Sequence, residues 1–129
     1  GVNYREACQL FSLLEEKDSD GMDALELTKL LKNRIDVDRV IVHPVKEACG
    51  AEEGCECRVD GPFCAEPRLT TGAGDNFNGG FILGQILGLD LEDSLLLGTA
   101  NSGFYVRNAR SAGYRELAGF IADWSKGII

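Results

Sequence analysis

Basic residues are scarce: 13 Lys and Arg stand against 21 Asp and Glu, a formal charge of -8 over 129 residues. A nucleic-acid scaffold needs clustered cations against phosphates, so nucleic acid is not expected as a partner. A small phosphorylated ligand stays open, because backbone N–H groups can hold one. Long apolar runs are missing too. Nothing approaches the ~18 residues that cross a bilayer, and no basic-then-apolar leader opens the chain, which argues against a membrane partner and for a cytoplasmic setting. Internal repeats, low-complexity linkers and paired Cys-x-x-Cys knuckles are likewise absent. The five cysteines (Cys8, Cys49, Cys55, Cys57 and Cys64) are an odd number without a secretion signal, and read as reduced thiols.

What is present is ordinary globular material, 44% hydrophobic and 26% charged. The length suits one domain that buries roughly two-thirds of its unfolded surface, so residues 1–129 are read as a single unit. Ala7, Leu10, Phe11 and Leu14 recur at helical spacing and predict a helix opening near Asn3. A second helix is expected from about Met22 to Asn33. "VDRVIVHP" then reads as a short buried strand ended by Pro44, and the stretch from Ala48 to Pro67 as short strands or a hairpin. Further helices are expected over Asp75 to about Leu87, Leu91 to about Val106 with Asp90 as N-cap, and Arg115 to Lys126. The class is mixed α/β, helix-rich with few strands. Five apolar helical faces need more sheet than this chain offers, so it reads as the C-terminal portion of a larger open α/β domain.

The segment "LTTGAGDNFNGGF", Leu69 to Phe81, carries the chemistry. Gly72 and Gly74 free the backbone for positive φ and keep side chains away from a ligand. A helix beginning there leaves several N–H groups without acceptors at the positive end of its dipole, which makes a site for anions. Asp75 at its rim would repel a bound phosphate but is placed to take a proton from an attacking hydroxyl. The plainer alternative makes Asp75 a helix-start residue that satisfies local N–H groups, with the glycines a mere turn. Spacing excludes a dinucleotide fingerprint, because Phe77 stands three residues after Gly74, and no Gly-Lys-Ser/Thr follows to make a Walker loop.

Thr70, Gly72, Ala73, Gly74, Asp75, Phe77 and Gly80 together resemble the C-terminal signature of the ribokinase-like, PfkB-type carbohydrate kinases. Even the Gly-Ala-Gly-Asp core would arise by chance in only about one in several hundred chains of this size. "NYRE" at Asn3 to Glu6 fits the family's Asn-x-x-Glu motif and is equally a helix capping box. "GTANSGFYVRNARSAG" looks like the family's helix and loop beside the adenine pocket, with Asn101 and Gly103 as its wall.

The resemblance implies the C-terminal portion of a three-layer α/β/α ribokinase-like domain. Its activity would be ATP-dependent phosphorylation of a sugar or nucleoside hydroxyl. Asp75 would be the general base, and Gly72, Ala73 and Gly74 the anion hole. Thr70 and Thr71 would meet the nucleotide, and Glu6 with Asn3 would order Mg²⁺ through its waters. The missing N-terminal part of the same protein would be a partner, and a homodimer is compatible with the reading. The chain departs from the family where "VIVHPV" replaces the usual Thr-x-Gly: His43 takes the Thr position and Val45 the Gly. His43 either touches the nucleotide or simply ends its strand. That change leaves a second reading open, a binding protein of the same fold without turnover. A third is a thiol-based metal or redox module centred on Cys55 and Cys57.

Overall fold

Asn3 stops an extended segment and starts a helix. Its Oδ1 accepts the Glu6 N–H at 2.9 Å, and the Glu6 carboxylate accepts the Asn3 N–H at 2.9 Å. Helix α1 (Tyr4–Glu15) follows and stops at Glu16, whose φ of 55° is left-handed. Helix α2 (Ala24–Arg34) is capped by Asp23, which accepts the N–H groups of Leu25 and Glu26 at 3.1 Å each. The computed structural model describes every residue from Gly1 to Ile129, and the chain divides into two compact units, Gly1–Val59 and Asp60–Ile129.

The first unit holds α1, α2 and three strands: β1 (Arg39–Val42), β2 (Glu47–Glu52) and β3 (Cys55–Asp60), in the order β1-β2-β3. β1 and β2 pair antiparallel, with Arg39 opposite Glu52 and Val42 opposite Cys49. Glu53 and Gly54 link β2 to β3, and Gly54 has the positive φ, 72°, that so short a link demands. On the other edge of β1, Val2 adds a parallel bridge: its N–H donates to the Ile41 carbonyl and its own carbonyl accepts the His43 N–H, both at 3.0 Å. Val40 and Val42 share one face of the sheet and bury against Ala7, Cys8, Phe11, Leu27 and Leu31. Arg58 on β3 reaches the capping carboxylate of Asp23 at 2.6 Å and Glu47 at 3.5 Å, so one guanidinium ties the start of α2 to the sheet.

The second unit is helical: α3 (Ala73–Ile86), α4 (Leu91–Asn108) and α5 (Tyr114–Ser125). α3 begins two residues before the expected Asp75, because Gly72 at φ 89° is itself the N-cap and helical geometry starts directly after it. Asp90 caps α4 as the sequence suggests, accepting the Asp93 N–H at 2.8 Å. α3 and α4 approach to backbone contact. A Cβ at Gly80 would lie 2.7 Å from the Leu97 carbonyl oxygen, and one at Gly98 would lie 3.0 Å from the Phe77 carbonyl oxygen. Arg107 anchors the preceding loop, donating to the carbonyls of Pro62 and Phe63 at 2.9 Å each while its guanidinium lies 5.5 Å from the Phe120 ring centre. No helix is long and apolar enough to cross a membrane.

Two measurements check this architecture. Gly80→Ala presses a methyl on backbone that cannot yield and should lower stability by ~1–3 kcal/mol. Gly79→Ala, one residue earlier and with nothing within 4 Å of its Cβ position, should raise it by ~0.5–1 kcal/mol. Urea titrations giving the opposite order would refute the described contact. The second test is pH. His43 sits half-buried at the end of β1, and burial holds its pKa below the usual 6.5, with the Gly1 ammonium pushing the same way. A base with a lowered folded pKa stabilises most when neutral, so its contribution is complete above 6.5 and is lost as pH falls through 6.5 towards the depressed value. His43→Gln should flatten stability between pH 7.5 and 5.5 relative to the parent.

Candidate active site

The glycine turn is built by a sequence of local bonds. Thr70 and Thr71 enter it, and the Thr70 carbonyl accepts the Ala73 N–H at 3.0 Å. Gly72 takes φ 89° and ψ 0°, which other residues rarely adopt, and a Cβ there would stand 2.9 Å from the Tyr105 hydroxyl. Both conditions select glycine. The Gly72 carbonyl then accepts the Asn76 N–H and the Asn76 Nδ2, each at 3.0 Å, so α3 is running by its first turn.

That arrangement alters the expected amide set. Ala73 spends its N–H on Thr70 and cannot offer it to a ligand. Gly74 and Asp75, in the first turn, have no carbonyl one turn earlier to receive theirs, and the Gly72 N–H also lies outside the turn's internal bonds. Side chains relieve this shortage at α1, α2 and α4, through Asn3, Asp23 and Asp90; at α5 no side chain caps the first turn, and the Glu116 carboxylate accepts the N–H of the cap residue Gly113 itself at 2.9 Å. α3 has no side-chain cap. Asp75 is exposed, and its carboxylate holds none of the local N–H groups.

Three side chains fix the turn from outside. The Tyr105 hydroxyl donates to the Thr71 carbonyl at 2.7 Å, Asn101 Nδ2 to the Asn76 carbonyl at 2.7 Å, and the Ser111 hydroxyl to Asn76 Oδ1 at 2.9 Å. Asn101 and Gly103, the positions marked beside the adenine pocket, face different neighbours. Asn101 points at α3, while a Cβ at Gly103 would meet Pro62 Cγ at 2.5 Å and the Phe120 ring at 3.5 Å. Tyr105 was not singled out from the sequence, although it lies one turn beyond Asn101 on the same face of α4.

The remaining expected residues lie in the first unit. Asn3 and Glu6 form the capping box, and one Glu6 oxygen, Oε2, is committed to it. His43 gives its N–H to Val2, and Val45 is 86% exposed. None of the five cysteines is in a disulfide, and no group of three or more His, Cys, Asp or Glu side chains is placed to hold a metal ion. The structure therefore brings no ligand set together around Cys55 and Cys57.

Comparison with known proteins places this geometry. A ketohexokinase of Haloferax volcanii is 34% identical over 92 residues, covering 71% of this chain and 24% of that protein. Among solved structures, ribokinase from Thermotoga maritima superposes with a TM-score of 0.79 at 20% identity, over 94% of this chain and 41% of its own. Phosphofructokinase-2 from Escherichia coli, crystallised with substrates and products, gives 0.77 at 21% identity, over 96% and 40%. These likenesses establish the ribokinase-like α/β fold, of which this chain supplies a part: it spans about a quarter of the curated relative's length and about two-fifths of the solved chains. The family model for prokaryotic ketohexokinase matches residues 1–124, nearly the whole sequence, and the chain belongs to that family.

Proposed function

We propose that the full protein transfers the γ-phosphoryl group of ATP to a hydroxyl of a sugar, with a ketohexose as the first substrate to test. The observation that carries this reading is the start of α3, where the Gly74 and Asp75 amides and the Asp75 carboxylate meet without internal partners. Amides without acceptors favour negative charge, and the helix dipole adds to them. Such donors contribute most where charge develops during transfer.

In this reading the sugar oxygen attacks the γ-phosphorus, its proton passes to the Asp75 carboxylate, and the bond from phosphorus to the ADP oxygen breaks. The N–H groups of Gly72, Gly74 and Asp75 face the charge on the moving phosphoryl group. Ala73 contributes through the turn's shape, since its N–H is held by Thr70. Thr70 and Thr71 are exposed and keep their hydroxyls for the nucleotide phosphates. A divalent cation bound mainly by phosphates and water fits a chain that offers no cage of protein ligands. Mg²⁺ would neutralise phosphate charge, with Glu6 ordering its waters through the oxygen left outside the capping box and Asn3 holding Glu6 in place. Residues 1–129 are then part of one catalytic domain whose sugar contacts come largely from the rest of the protein.

Two tests follow, both in the full-length enzyme. Asp75→Asn should lower sugar-dependent ADP release by about 10²–10⁴-fold while leaving nucleotide binding in place. Undiminished turnover would remove Asp75 as the base, and nucleotide binding without turnover across a broad sugar panel in the parent would favour a non-catalytic protein. Glu6→Gln should raise the Mg²⁺ concentration needed for half-maximal rate. An unchanged Mg²⁺ dependence would leave Glu6 with the cap alone.

A further inference from the structure

We propose that Tyr105 is a positioning residue that sets the direction of the Gly72 amide; this rests on the phosphoryl-transfer reading above. The argument begins with one peptide group. The Thr71 carbonyl and the Gly72 N–H belong to the same planar unit and point in opposite directions, so whatever fixes the carbonyl fixes the amide. Tyr105 Oη donates to that carbonyl at 2.7 Å. A flip of this peptide would break the bond and reverse the direction of the Gly72 N–H.

The same phenol explains the glycine. Its hydroxyl stands 2.9 Å from where a Cβ of Gly72 would be, so the room left by the missing side chain is taken by Tyr105. α4 holds the rest of the entry segment as well. The Val106 carbonyl accepts the Arg68 N–H at 2.8 Å and the Leu69 N–H at 3.4 Å, and Asn101, one turn earlier, holds the Asn76 carbonyl. Residues 68–76 therefore follow the path of α4 at three levels, and Tyr105 supplies the level nearest the amide cradle. A carbonyl that accepts a hydrogen bond also polarises its own peptide, which makes the Gly72 N–H a better donor.

Tyr105→Phe in the full-length enzyme tests this, because it keeps the ring and removes only the donor. The expected result is a fall in kcat of about five- to tenfold, the size of one ordinary hydrogen bond. KM for the sugar should be unchanged. Hydrogen exchange of a peptide spanning Thr70 to Asp75 should be faster than in the parent. Unchanged exchange overturns the inference whatever the activity. An unchanged kcat beside an active parent and a defective Asp75→Asn variant overturns it while leaving the kinase reading intact. A parent that shows no sugar-dependent ADP release sinks the kinase reading, and the positioning role falls with it.

Discussion

Backbone contact between α3 and α4 at Gly80 is the constraint on which the candidate site depends. The Cβ position of Gly80 is 2.7 Å from the Leu97 carbonyl oxygen and 2.8 Å from Asn101 Cβ, so the helices leave no room there for any side chain. Only at that separation does the short Asn101 side chain reach the carbonyl of Asn76. Burial of Phe77 at 3% exposure and Leu95 at 0% holds the pair together, with each such side chain contributing about 1.5–3 kcal/mol. Apolar packing thus sets a distance, the distance admits a hydrogen bond, and the hydrogen bond places a turn.

The division between the two units is also one of electrostatic habit. In the first, the carboxylates of Glu6 and Asp23 are engaged at helix starts: Glu6 with Asn3, and Asp23 with Leu25, Glu26 and Arg58. Asp23 accordingly has its pKa lowered, chiefly by Arg58. In the second, Glu116 is held down to about 2 by Arg110 and the Gly113 amide. The start of α3 departs from this pattern. A missing cap typically costs about 1 kcal/mol, and the packing of α3 against α4 is the compensating contribution visible in the structure.

The sequence made the helices legible because burial repeats at their own period: Ala7 and Phe11 mark α1, and Leu27 and Leu31 mark α2. The glycine turn at the head of a helix was legible, as was the cap at Asp90. The first residue of α3 was not, since Gly-Ala-Gly suggests a loop by propensity and becomes helix only because Gly72 takes the positive φ. Which amides stay free depended on one bond, Thr70 to Ala73, that spacing alone does not reveal. The partners of Asn101 and Tyr105 lie 25 and 34 residues away along the chain, and a periodic pattern reports the buried face without naming what covers it. Between the capping and metal readings of "NYRE" the geometry displays the cap, which uses one carboxylate oxygen and leaves the other.

Arg107 carries a further consequence. Its guanidinium grips residues 62 and 63 through their carbonyl oxygens, and a carbonyl is common to all amino acids. The anchor therefore recognises the route of this connection through its backbone alone. Pro62 is different, because its ring fills the space above Gly103. Substitution at position 62 should accordingly stall unless position 103 changes with it.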